Sequence, residues 1–255
     1  MTSHTEHAVA LRRYRAQLTE CSRSFTVGRS NGIDRFLTGA DPRRLLEMFT
    51  DGNRYKRFLK LKDQFEELDA AFDNLDDLID RYIRRVPLAA YETGSSDGEK
   101  FLQWITVTTR PTAEQQDVIA CQQCRYSVET TAERHRLDHL RFQEIWASVR
   151  RFSAELETNP ALWIHLNPIH SWTRFHTRAL LDDEADLPAC VVFFPVASDI
   201  RTAVLEASAE ALARDLELFG PCRLDDLLAG DNPTVRREVI DICLDMADIG
   251  LVAFG

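Results

Sequence analysis

ACVVFFPVASDIRTAVLEASAEALARDLELFG, residues 189–220, changes periodicity twice within one run and so decides the fold. ACVVFFPV and IRTAVLEAS are short, apolar and rich in β-branched or aromatic residues, the composition of strands. SAEALARDLELFG then reads as a helix, with Ser208 at the N-cap and Gly220 at the C-terminal stop. Upstream, ALWIHLNPIHSW has the same strand character. Downstream, CRLDDLLAG is a short helix and NPTVRREVIDICLDMADIG a longer one, opened by Pro233 in its first turn and closed by Gly250. LVAFG ends the chain as a small strand. This order predicts a winged-helix-like α+β domain over residues 161–255.

The first two-thirds read differently. LRRYRAQL opens an amphipathic segment, and SNGIDRFLTGADP breaks it with glycines and a proline. From Pro42 to Arg85, apolar residues from Leu45 to Tyr82 recur at three- and four-residue steps, which is helical spacing. Breaks are expected at Asp51-Gly52-Asn53 and Asp73-Asn74, and a stop at Val86-Pro87, because the residue before proline resists the helical conformation. TGSSDGEKFLQWI is a loop leading into a short helix, TTRPT a further break, and Ala113 to Leu156 one long helix. The expectation is a mainly α protein with a helical domain over residues 1–160.

The chain has 255 residues, 44% hydrophobic and 28% charged, ordinary values for a globular protein. Its six cysteines accompany no export signal, and no apolar run approaches the roughly 18 residues of a membrane span. Reduced thiols and a cytoplasmic location are expected. Net charge is -10 and uneven: residues 181–255 hold 16 acidic against 5 basic residues. An acidic final third constrains the partners it can take.

CQQCRYSVETTAERHRLDH, residues 121–139, places C-x2-C before H-x3-H, the donor types of a small zinc site. On one unbroken helix, however, Cys124 and His135 stand about 16 Å apart. Nothing in RYSVETTAER supports a hairpin between the pairs. The same spacing continues through Phe142, Trp146 and Val149, so a packed stripe is the preferred reading. Half a metal site at His135 and His139, or a redox pair at Cys121 and Cys124, are the alternatives.

His165, His170 and His176 cluster in an aromatic-rich stretch, where a metal or acid–base role competes with a strand–turn junction. LLDDEAD lacks the alternate-position ligands and glycine of a calcium loop and reads as a solvated acidic loop. There is no Gly-rich phosphate loop, no G-x-S-x-G elbow and no nucleophile with a base. A winged-helix DNA-binding regulator would use NPTVRREVIDICLDMADIG as its recognition helix. DNA affinity comes largely from neutralised phosphates, and the acidic balance of this segment opposes it.

The small fold can instead bind a peptide by strand addition, with a flanking helix supplying pockets. The run from VVFFPV to VIDICLDMADIGLV resembles the peptide-recognition element of ribosomally made peptide natural-product (RiPP) pathways. DDLIDRYIRRVPLAAYETGSSDGEKFLQWI has the layout of an acidic helix ending at Y-x4-P, a glycine-containing loop and G-x2-F-L. LWIHLNPIHSW resembles an R/H-L-N-P turn before the final domain. Together, over most of Leu68 to Gly255, these resemble the partner subunits of multinuclear non-haem iron oxidative enzymes, of the TglI and MbnC type. Such subunits act in 3-thiaglutamate and methanobactin synthesis, and the TglI-like form is preferred.

The resemblance implies a chain that is no enzyme by itself and holds no cofactor or metal, with iron in a barrel-type partner subunit. As one half of a heterodimer it would bind the leader of a cysteine-containing precursor peptide and present that cysteine to the iron enzyme, with neither nucleic acid nor membrane involved. Strand addition places the open edge at Arg201 to Glu206, with Thr202, Val204 and Glu206 beside the peptide. Arg236, Arg237, Ile240 and Leu244 would line the groove opposite. Ordinary core packing is the competing reading for Ile240 and Leu244. The acidic balance predicts basic residues in the leader.

Overall fold

A computed structural model describes residues 42–86, 96–149, 161–182, 185–228 and 232–255. LRRYRAQL, most of SNGIDRFLTGADP, Pro87 and the stretch up to Leu156 after Val149 lie outside these residues. The protein is mainly α with an α+β part, and it forms two compact units, Met1–Pro111 and Thr112–Gly255.

In the first unit, α1 (Pro42–Gln64) is followed by a short 3-10 helix (Glu66–Ala70), α2 (Leu75–Arg85) and α3 (Asp97–Thr109). The apolar positions spaced by three and four converge: Leu61, Phe65, Leu68, Leu75, Leu78, Ile79, Tyr82 and Phe101 are all buried. Tyr82 meets Phe101 edge-on with ring centroids 5.2 Å apart. Tyr82 of Y-x4-P and Phe101 and Leu102 of G-x2-F-L thus share this core. Arg57 is buried among them, bonding both carboxylate oxygens of Asp97 at 2.6 and 2.7 Å and the Val86 carbonyl at 2.6 Å. Tyr82 donates to the same carboxylate at 2.8 Å.

One expectation needs adjustment here. α1 runs through Asp51-Gly52-Asn53 without a break; these residues are exposed, and a mid-helix glycine costs only about 1 kcal/mol. The break expected at Asp73-Asn74 is present: a 3-10 segment ends at Ala70 and Asn74 is the N-cap of α2. Val86 does end α2, in an extended conformation with ψ 102°. Ser96 and Glu99 close a capping box that starts α3.

The second unit begins with α4 (Ala113–Arg134), capped by Thr112 and Gln115, and α5 (Arg136–Val149). Strands β1 (Trp163–Leu166), β2 (Ser171–Phe175), β3 (Ala189–Val196) and β4 (Asp199–Leu205) follow. Then come α6 (Ala207–Phe219), β5 (Cys222–Arg223), α7 (Leu224–Leu227), α8 (Pro233–Ile249) and β6 (Val252–Phe254). Two antiparallel sheets result, in the orders β5-β1-β6 and β2-β3-β4.

The division expected at residue 160 separates helices from strands in the sequence. Compactness divides the chain at Pro111, because α4 packs Cys124 and Val128 onto Val191, Phe193 and Phe175 of the second sheet. That contact explains the unbroken apolar run VVFF: β3 is buried on both faces. Its odd-numbered residues meet α4, while Val192, Phe194 and Val196 meet Leu216 of α6 and Met246 of α8.

The expected single helix to Leu156 is interrupted at His135, whose φ -109° and ψ 35° leave the helical region. Trp146, beyond the break, packs on the other cluster and donates to the Ala247 carbonyl at 2.6 Å. The N-cap of α6 is Glu206 rather than Ser208, since the helix starts directly after β4. At α8, Pro233 leads and Gly250 ends the helix at φ 88° as expected, and Asn232 adds an N-cap by accepting from the Thr234 and Val235 N–H groups.

Candidate peptide-binding edge

β4 pairs with β3 from Asp199 opposite Val196 to Leu205 opposite Cys190. Among the described residues no strand pairs with its other side, so β4 presents an open edge. Strand alternation sorts its side chains. Thr202 and Val204 lie across from Phe193 and Val191, on the face turned to α4. Arg201 and Ala203 lie across from Phe194 and Val192, on the opposite face, where Arg201 donates to the Ile249 carbonyl at 3.1 Å. Val204 is 50% exposed and Thr202 is exposed.

The seven residues expected around one groove consequently divide. Thr202, Val204 and Glu206 belong to the edge. α8 packs on the other face of the sheet: Ile240 is buried in that core and Leu244 packs against it. Arg236 and Arg237, with Pro233 and Ile240, line a separate shallow depression of about 410 Å³ at the start of α8. Period-two alternation puts Thr202 and Val204 on the face away from α8, so the two sets do not face one groove.

A second feature was not foreseen. Where β4 ends and β3 begins, a cavity of about 690 Å³ is lined by Val204, Glu206, Asp182, Asp186, Glu210, Arg174 and Cys190, among others. Glu210 holds Arg174 at 2.6 Å. The acidic run LLDDEAD supplied a signal, but only the fold brings Asp182 and Asp186 beside the end of β4.

Below the edge, polar groups lock the turn of H-L-N-P. Asn167 is fully buried; its amide donates to the Pro195 and Gly250 carbonyls at 3.2 and 3.3 Å, and its oxygen accepts from the Ile169 N–H at 3.1 Å. Asp117 of α4, also buried, accepts from the backbone N–H groups of His176 and Thr177 and from the Thr177 hydroxyl at 2.6 Å. His170 bridges the Asn167 carbonyl at 2.7 Å and Glu217 at 3.2 Å. Burial pushes the Glu217 carboxyl upward, but its bonds to Arg214 and His170 outweigh this and hold it below the usual range.

The histidines and cysteines occupy dissimilar settings. Cys124 is buried and His135 exposed. His139 is buried and bonds Gln143 at 2.8 Å. Burial lowers the pKa of His139 and of His165. Among the described residues no three His, Cys, Asp or Glu side chains gather as a ligand set. Burial raises the Cys190 thiol to about 11, with Glu210 adding to it, and Cys243 to about 12. Both stay protonated near neutrality, a poor setting for nucleophilic attack. The arrangement offers backbone donors and acceptors at an edge rather than an acid–base pair.

No protein-family model matches the chain, and no curated protein or solved structure is significantly similar to it.

Proposed function

We propose that this chain is the peptide-recruiting partner of a multinuclear non-haem iron oxidative enzyme, in a RiPP pathway of the 3-thiaglutamate or methanobactin type. One observation carries the reading: among the described residues β4 has an unpaired edge on which Val204 is half exposed, beside a strand buried on both faces. An extended leader peptide adding to β4 would satisfy the open backbone groups, and its alternate side chains would meet Thr202 and Val204. The succession β3, β4, α6, α8 and β6 supports a winged-helix-like recognition domain.

In this role the chain does no bond-making. It holds the leader so that the cysteine beyond it reaches the partner's iron centre, contributing proximity and orientation. The interaction is a cytoplasmic heterodimer with a barrel-type iron protein.

The test is co-expression with the products of adjacent genes, purified through a tag on this chain. A barrel-type iron protein and a short cysteine-bearing peptide should co-purify. Thr202→Pro and Val204→Pro, which deny the edge a donor and stiffen it, should release the peptide and keep the iron protein. A peptide retained by both variants, or adjacent genes encoding neither partner, sinks the reading.

A further inference from the structure

Resting on strand addition at β4, we infer that the cavity at the end of that strand receives a lysine or arginine side chain of the docked peptide. The cavity is continuous with the edge, since Val204 and Leu205 of β4 line it together with Glu206, the residue that follows the strand. Its volume of about 690 Å³ falls within the range of roughly 300–1,000 Å³ typical of ligand pockets.

Its charge selects the occupant. One guanidinium, Arg174, faces four carboxylates, and Glu210 already pairs with it at 2.6 Å. Asp182, Asp186 and Glu206 take part in no ion pair among the described residues. A cationic head entering here meets an acidic lining with carboxylates to spare. Leu205, Pro188 and Ala189 offer an apolar wall to the methylene stem, the division that long basic side chains favour. An acidic or neutral side chain at the same place would add repulsion or leave the carboxylates unpaired. The device complements the open edge: backbone pairing gives affinity for any extended peptide, and the cavity fixes which residue stands at its end and so sets the register.

A display selection with random short peptides on the folded chain, counter-selected against Val204→Pro, tests this directly. The enriched peptides should alternate β-branched residues and carry Lys or Arg at one fixed position. A selected lysine peptide should bind about tenfold more tightly than its norleucine analogue, and added salt should erode that difference. Glu206→Gln and Asp186→Asn should remove the preference for lysine while leaving the norleucine analogue bound as before. Strand-like peptides that depend on the β4 edge but carry no fixed basic residue would overturn the cavity assignment alone. Peptides that bind Val204→Pro as well as the native chain would overturn strand addition, and this inference with it.

Discussion

Val204 stands directly across from Val191 on the sheet face turned to α4, yet Val191 is 0% exposed and Val204 is 50% exposed. The strand has burial to spare on one side and an unused surface on the other. Val191→Ala should cost about 2–3 kcal/mol of stability, combining lost transfer energy with a cavity, and Val204→Ala under about 1 kcal/mol. Urea denaturation of the two variants compares them. Equal losses would mean that the edge is packed and not open.

Gly250 is held at φ 88°, and a Cβ there would lie 2.9 Å from a methyl carbon of Val196. Its carbonyl also accepts from Asn167. Gly250→Ala combines left-handed strain with a clash and should lower stability by about 1–3 kcal/mol. Asn167→Ala leaves two buried carbonyls and the Ile169 N–H without their partner, for about 2–4 kcal/mol. Thermal unfolding followed by circular dichroism measures both, and a neutral Asn167→Ala would show that this turn is not the clasp between the β1–β2 corner, β3 and α8.

These residues also show what the sequence made legible. ACVVFFPV announced β3 because a strand covered on both faces needs apolar residues at every position. α8 was legible from Pro233 and Gly250, whose preferences for a helix's start and end are local. The break at His135 was not, for no glycine or proline marks it. It follows from tertiary packing, with Cys124 and Val128 on one cluster and Trp146 on another. The edge of β4 was legible as a strand of mixed composition. Which face α8 would cover was not, since alternation tells which residues share a side but not what packs there. The acidic cavity needed residues from β2, β3, β4, α6 and the loop after β2 to be brought together.

In the helical unit, Arg57 and Asp97 form a two-pronged ion pair with side-chain exposures of 5% and 17%. Removing one partner strands the other charge in a poorly hydrated site. Asp97→Ala should cost about 3–5 kcal/mol, whereas Arg57→Met combined with Asp97→Leu should recover a large part of that loss. A double-mutant cycle on unfolding free energies checks the coupling. Additive losses would show that the pair contributes through its packing and not through its charges.

The response to acid should come in two stages. Burial holds His139 and His165 below their ordinary pKa of 6.5, so the unfolded chain binds more protons than the folded one just below that pH. Stability therefore falls as the pH drops through and below about 6.5. Glu217 is also held below its ordinary value, 4.5, by Arg214 and His170 despite burial. Its contribution is complete above 4.5 and is lost as the pH falls through the lower folded value. Because Glu217 is 42% exposed, solvent screens this second stage and it should be the smaller. Unfolding free energies measured from pH 7 to 3 should decline in both windows. His139→Gln should flatten the upper decline and leave the lower one, while Glu217→Gln should do the reverse. A profile that His139→Gln leaves unchanged above pH 5 would place the acid sensitivity in other groups.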